Sequence, residues 1–143
     1  MKILAVDYGD SRTGLAVCDP GERLASPIKP QIEAKGMDKV AAKVCEAAQA
    51  HQAQLILMGL PCNMDGTEGE RARKSRKLAK KVEWLSGLRV RMWDERQTTL
   101  AAAELLDEAG TFGKRRKAVL DSMSATVLLE DYLAWRREHP GEE

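Results

Sequence analysis

Acidic residues stand at three places in this chain from which they could act together. Asp7 follows directly on an early apolar run, Ile3–Val6, and Asp94 and Glu95 follow directly on a late one, Val90–Trp93. In a parallel α/β sheet, ligands bind beyond the carboxyl ends of the strands. If both runs are parallel strands, these acids are distant in sequence and close in space. Asp121 comes by another route. With Ala125, Leu128 and Tyr132 it recurs at i, i+4, i+7 and i+11, which puts a carboxylate on the apolar stripe of a helix. A charge facing inward is costly unless it is paired or coordinated. Converging carboxylates raise one another's pKa, and a divalent cation removes that repulsion. An oxygen-only donor set favours Mg2+ or Mn2+ over zinc. Such a site could do metal-assisted hydrolysis. Each acid also has a plainer reading: Asp7 as a turn former, Asp121 as a complement to a helix N-terminus, and Asp94 with Glu95 as a surface pair neutralised by Arg96.

The elements that must position these acids follow from hydrophobic periodicity. Ile3–Val6 is continuously apolar, as a strand covered on both faces is. Gly9 and Gly14 bracket a polar turn into a second run, Leu15–Cys18, and Asp19-Pro20-Gly21 makes the next turn. Leu24–Gln31 carries Pro27 and Pro30 and can only be an edge strand. Met37, Val40, Ala41, Val44 and Ala48 fall at helical spacing and predict a helix ending near His51. Leu55–Met58 is another buried strand, stopped by Gly59 and Pro61. Thr67 and Glu70 have capping-box spacing, opening a helix in which Leu78, Val82 and Leu85 share a face and which Gly87 closes. After Val90–Trp93, a weaker strand interrupted by arginines, Thr98 or Thr99 caps a short helix through Leu105 and Leu106. Gly110–Lys117 is expected to be a long mobile loop. A last helix spans Ala118–Arg137, and His139–Glu143 is expected to fray. The pattern predicts one α/β domain over residues 1–138, with a mixed central sheet and helices on both faces.

Composition narrows the class. The chain has 143 residues, 43% hydrophobic and 31% charged, enough for one core without disulfides. Cys18, Cys45 and Cys62 match no zinc or redox spacing and read as reduced thiols. No signal-peptide core or membrane span is present, so the expected location is the cytoplasm, with no membrane partner. The histidines, His51 and His139, form no Cys/His or Ser/His/Asp arrangement.

The net charge of +1 hides two basic clusters. Arg71, Arg73, Lys74, Arg76, Lys77, Lys80 and Lys81 crowd one helix, and Lys114-Arg115-Arg116-Lys117 form a second run just before Asp121. Such clusters suit a nucleic-acid backbone and imply salt-dependent binding, although a solvated helix face is the usual fate of a charge run. Arg12, on the first hairpin, could contact a phosphate. The loop Gly59–Thr67, including Asn63, could hold one through backbone N–H groups or be an ordinary turn. It lacks the GxxxxGK[ST] pattern of an NTP-binding loop. With few aromatics free to stack on bases (Trp93 and Trp135 read as core), recognition by shape and backbone is expected.

Four ordered blocks carry a family resemblance. Asp7-Tyr8-Gly9-Asp10-Ser11-Arg12-Thr13-Gly14-Leu15-Ala16-Val17 resembles the opening motif of the YqgF family of ribonuclease H-like proteins, also described as RuvX. Gly59-Leu60-Pro61-Cys62-Asn63-Met64-Asp65-Gly66-Thr67, Asp94-Glu95-Arg96-Gln97-Thr98-Thr99 and Asp121-Ser122-Met123-Ser124-Ala125 resemble its later segments. The resemblance spans almost the whole chain. It implies a ribonuclease H-like fold and a nuclease that completes maturation of the 16S rRNA 5′ end, with Holliday-junction resolution as an older suggestion. It also implies Asp7, Glu95 and Asp121 as the metal-binding acids. Ribonuclease H-like nucleases commonly use four acids; here Ser124 stands one turn after Asp121, where related resolvases can place another ligand. One tightly held metal, with a second recruited by substrate, would then serve. The implied chemistry is phosphodiester hydrolysis: metal held by Asp7 activates water and polarises the phosphate, and a second ion roughly 4 Å away stabilises the leaving 3′ oxygen.

The implied partners are RNA (precursor 16S rRNA) or structured DNA, and the assembling small ribosomal subunit. The protein would be a monomer for RNA trimming or a homodimer for symmetric junction cleavage. Two other readings stay open. DxGxxR followed by a strand also resembles the first phosphate loop of sugar kinases and actin-like ATPases, which close two such domains on a nucleotide. A non-catalytic RNA-binding ribosome-assembly factor would keep the fold without turnover.

Overall fold

The computed structural model describes residues 1–94 and 113–141, with side chains in the last helix described from Ser124 onward. The first strand, β1 (Ile3–Tyr8), lies at the centre of a five-stranded sheet ordered β3-β2-β1-β4-β5. β2 (Thr13–Cys18) returns antiparallel to β1, and β3 (Ala25–Ile32) pairs antiparallel with β2. On the other side β4 (Leu55–Leu60) and β5 (Val90–Asp94) run parallel to β1. Pro27 and Pro30 thus sit on an edge strand, where proline is tolerated because only one side of the strand is paired.

Alternation along β1 builds two cores. Leu4 and Val6, with Ile56 and Met58, pack against α1 (Met37–Ala50) and α2 (Glu70–Ser86) through Val40, Val44, Leu78 and Val82. Ile3 and Ala5, with Leu55 and Leu57, pack against α3 (Gly113–Glu138) through Ala125, Leu128, Leu129, Tyr132 and Leu133. The expected mixed sheet covered on both faces is the observed one. The arginine that interrupts β5 is absorbed by aromatic rings: the Arg91 guanidinium lies 5.0–5.6 Å from the ring centres of Trp93, Tyr132 and Trp135, a favourable cation–π geometry. Trp93 and Trp135 are half-buried at the margin of the second core and meet edge to face at 5.7 Å.

Several boundaries differ from expectation. α2 opens at Glu70 with Gly69 as N-cap, and no side chain caps it. Thr67 is taken by the preceding loop instead, its hydroxyl donating to Asp65 at 2.6 Å. Leu85, expected on the buried face of α2, is 57% exposed; it borders an open groove with Ala42, Cys45 and Gln49 of α1. α3 begins at Gly113, so the expected loop through Lys117 is helical from that residue onward. Lysine and arginine are good helix formers, and a basic run does not by itself stop a helix. His139, expected to open a frayed tail, stacks on Trp135 at 4.4 Å, and its backbone N–H donates to the Trp135 carbonyl. The short helix expected after Thr98 or Thr99 lies outside the described residues.

The far end of α3 is fastened to the sheet. The Arg136 guanidinium donates to both carboxylate oxygens of Glu22, at 2.5 and 3.2 Å, and the Met1 ammonium adds a third contact at 3.2 Å. These hydrogen bonds, that from Arg136 foremost, hold the Glu22 carboxyl below its usual range. A depressed folded pKa means stability that is present above the unfolded pKa and lost as pH falls through the folded value. Glu22→Gln is therefore expected to cost about 1.5 kcal/mol near neutrality, a charge-assisted bond discounted for partial exposure. Urea unfolding followed from neutral to acid pH should show that difference vanish below the carboxylate range.

Candidate functional site

The three parallel strands end on one edge of the sheet. Cross-strand registers match Val6 with Met58 and Met58 with Met92, then Gly59 with Trp93 and Leu60 with Asp94. Asp7, one residue past Val6, is thus level with Gly59 and Trp93, and β5 lies two strand spacings away, about 10 Å. Asp7 has the parity of Ile3 and Ala5, so it belongs to the α3 face; it is half-buried. Along β5, Val90 and Met92 pack toward α1 and α2, whereas Arg91 and Trp93 meet Tyr132 of α3. Asp94 therefore has the parity of the opposite face and does not share a face with Asp7. Glu95, its neighbour, lies outside the described residues. Asp121 lies within α3, four residues before the buried Ala125; its side chain is not among those described. Ser124, suggested as a further ligand, is buried.

Two loops frame this edge. The β1–β2 hairpin turns so tightly that a Cβ on Gly9 would collide with the Arg12 carbonyl oxygen. That contact is backbone and cannot swing away. It makes Gly9 a requirement of the turn that carries Arg12. The Arg12 side chain is half-exposed and 4.0 Å from the Glu33 carboxylate, a surface pair worth little. The second loop, between β4 and α2, is held by its own bonds. Asn63 donates its backbone N–H to the Thr67 carbonyl at 2.8 Å and its side-chain amide to the Thr67 hydroxyl at 3.0 Å. The Gly66 N–H donates to the Asn63 carbonyl and the Thr67 N–H to Asp65. Those N–H groups are spent inside the loop, so the ordinary-turn reading describes it, and the Asn63 amide is a brace within the loop. Arg76 locks the loop to α2 through two bonds to Glu68, at 2.5 and 2.8 Å.

The basic cluster of α2 divides by role. Arg76 is engaged by Glu68 and Lys81 by Asp38 at 2.8 Å. Arg71, Arg73, Lys74, Lys77 and Lys80 are exposed, while Ala72, Ser75, Leu78, Ala79 and Val82 form the buried face. Lys114, Arg115, Arg116 and Lys117 belong to the first turns of α3, with side chains outside the described set. Helical spacing puts Lys117 one turn before Asp121, a relation that a loop assignment concealed. Burial raises the thiol pKa of Cys18 and Cys45, which suits packing and not nucleophilic chemistry. Sequence reading missed Gly9 as a steric requirement; Trp84, the tryptophan it did not assign to the core, is exposed and off the Leu78–Val82 stripe.

Gly9→Ala should push the hairpin outward while the two cores stay packed. The expected cost is about 1–3 kcal/mol of stability, read by thermal unfolding, with a loss of activity that outlasts correction for the unfolded fraction. Full activity with unchanged stability would show that the hairpin yields freely.

Comparison with known proteins agrees with this arrangement. The family model described as RuvX, Holliday junction resolvase, matches residues 1–135. A protein of Ruminiclostridium cellulolyticum named "Putative pre-16S rRNA nuclease" is 34% identical over 133 residues, covering 93% of this chain and 94% of that one. A Kineococcus radiotolerans protein of the same name is 40% identical over 128 residues, 89% of this chain and 68% of that one. Among solved structures, Thermus thermophilus RuvC superposes with a TM-score of 0.60 at 13% identity, covering 96% of this chain and 97% of that one. The same protein in complex with Holliday junction substrate gives 0.63, with 96% of each chain covered. The sheet order and the helical layers on its two faces are thus those of the ribonuclease H-like fold, and the chain belongs to the RuvX family of nucleases.

Proposed function

We propose that this chain is a metal-dependent nuclease acting in 5′-end maturation of precursor 16S rRNA, with Asp7, Glu95 and Asp121 as its catalytic acids. The observation that carries the reading is Asp7: a half-buried carboxylate at the end of the central strand, on the α3 face, level with the end of β5. Asp94 has the parity of Val90 and Met92, opposite to that of Asp7, which sets it aside and leaves Glu95 as the acid that the resemblance names. The direction of α3 favours Asp121. Arg136 is anchored at the end of the sheet where β1 starts, so earlier turns run back toward the end of β1. From Arg136 to Asp121 the helix covers about 22 Å, close to the roughly 20 Å of strand between Met1 and Asp7.

Among the described residues, no three His, Cys, Asp or Glu side chains gather into a metal-binding group. The proposed donor set therefore needs Glu95 and Asp121 beside Asp7. All three are hard oxygen donors, which fits Mg2+ or Mn2+. When bound, such an ion supplies Lewis-acid polarisation of the phosphate and a more acidic water. The chain's own part is to hold the carboxylates in register, and to position the phosphate with Arg12. Arg71, Arg73 and Lys74 at the start of α2, and Lys114, Arg115, Arg116 and Lys117 at the start of α3, would neutralise flanking phosphates. Asn63 would serve by keeping its loop in shape beside them. No helix of the described residues is long and apolar enough to cross a membrane, in keeping with action in the cytoplasm on the assembling small ribosomal subunit.

A second reading is favoured by the family description itself: resolution of a four-way DNA junction, for which a homodimer would supply two sites. One experiment separates the two. The protein and its Asp7→Asn variant are incubated with a 16S precursor 5′-leader RNA and with a four-way DNA junction, in Mn2+, Mg2+ or EDTA. The expected outcome is leader cleavage that needs metal and falls at least about 100-fold in the variant, the scale on which a lost electrostatic contact to the transition state is felt. Paired symmetric cuts in the junction would move the assignment to resolution. Metal-dependent cleavage that survives Asp7→Asn would overturn the site.

A further inference from the structure

The loop between β4 and α2 stands at the edge where Asp7 lies, and β5 starts at the opposite edge, so α2 runs from the catalytic edge to the far one. Its outer face carries Arg73, Lys77 and Lys80, all exposed, at i, i+4 and i+7. The next position of that stripe, i+11, is Trp84, which is 87% exposed. Neighbours at this spacing have Cβ atoms about 5–6 Å apart. The stripe is therefore a row of cations ending on a bare indole. The other two tryptophans are half-buried among partner rings; Trp84 is the one whose ring faces are open to a ligand.

We infer that Trp84 is a base-stacking platform for a single-stranded RNA arm, which leaves the catalytic edge and follows the Arg73–Lys77–Lys80 stripe along α2. The inference rests on the nuclease reading with RNA as substrate and deepens it by naming a second contact remote from the acids. Charge favours this occupant over a protein: three cations in line suit successive phosphates, and an adjoining aromatic face suits a base whatever its identity. α2 spans about 21 Å from Glu70 to Trp84, or about six stacked nucleotides at about 3.4 Å each. An arm shorter than that cannot reach the ring. α2 lies on the face of the sheet opposite α3, so the strand must cross the edge over the Asn63–Thr67 loop. Trp84 would then act on capture of the substrate and not on the reacting phosphate.

The test uses the full chain in EDTA, so that binding is read without cleavage. Single-stranded RNAs of about four and about twelve nucleotides are titrated against the protein, with tryptophan emission and anisotropy as readouts. The longer RNA should quench the emission and bind about 5- to 150-fold more tightly than it binds Trp84→Ala, the range of one base–aromatic stack. Trp84→Phe should recover most of that affinity. The shorter RNA, which cannot reach from the catalytic edge to the ring, should bind the unmodified protein more weakly than the longer one. Lys77→Ala and Lys80→Ala should each lower the salt dependence of log Kd by about 0.7. Equal affinity of the longer RNA for Trp84→Ala and the unmodified protein, or binding without quenching, overturns the platform and leaves the RNA reading standing. No binding of either RNA at low salt overturns both. A change of oligomeric state in Trp84→Ala, seen by size-exclusion chromatography, overturns the platform in favour of a protein contact.

Discussion

Burial of β1 on both faces constrains everything else in the structure. A strand sandwiched between two helical layers can carry no polar side chain along its length, so the first acid must wait for its end. That end is Asp7. The residues before it alternate between the two cores, and this alternation assigns Asp7 to the α3 side. The parallel pairing of β4 and β5 with β1 then brings three carboxyl ends to one edge, so that catalysis and stability draw on the same strands from opposite directions.

This constraint explains why so much was legible in the sequence. Continuous apolar runs mark β1 and β4 because both are covered twice, and the prolines of β3 announce an edge strand. α1 declares itself through a clean helical period. Legibility failed where a local competitor or a neighbouring layer decided the outcome. Thr67 had the right spacing to cap α2, but Asp65 offered it a nearer partner. Leu85 had the right period to be buried, but periodicity cannot show that a groove stays open between α1 and the end of α2. The basic run before Asp121 read as loop because its charge was more conspicuous than its helix propensity.

For the site, sequence and structure supply different halves. Residue types and spacing singled out Asp7 and Asp121, and the four-block resemblance chose Glu95. The structure adds a physical reason to set Asp94 aside, since it has the parity of Val90 and Met92. That reason was hidden in sequence because β5 alternates two apolar residues with an arginine and a tryptophan. Only the rings around Arg91 reveal which face the arginine serves. The loop bearing Asn63 is the converse: its residue types suggested phosphate binding, and its hydrogen bonds spend those groups on holding the loop's own shape.

The anchoring of α3 by Glu22 and Arg136 has a consequence for engineering. The contacts that fasten the helix to the sheet gather at the edge where β1 begins, with the Asp19 carboxylate tightening the turn beside them through the N–H groups of Arg23 and Leu24. Asp7 and the loop that leads from β4 into α2 lie at the other edge. Activity often suffers when a protein is stabilised, because the stiffened region is the one that must move. Here the two regions lie about one strand length apart. Reinforcing the Glu22 edge would raise thermal tolerance while leaving the loops around Asp7 untouched.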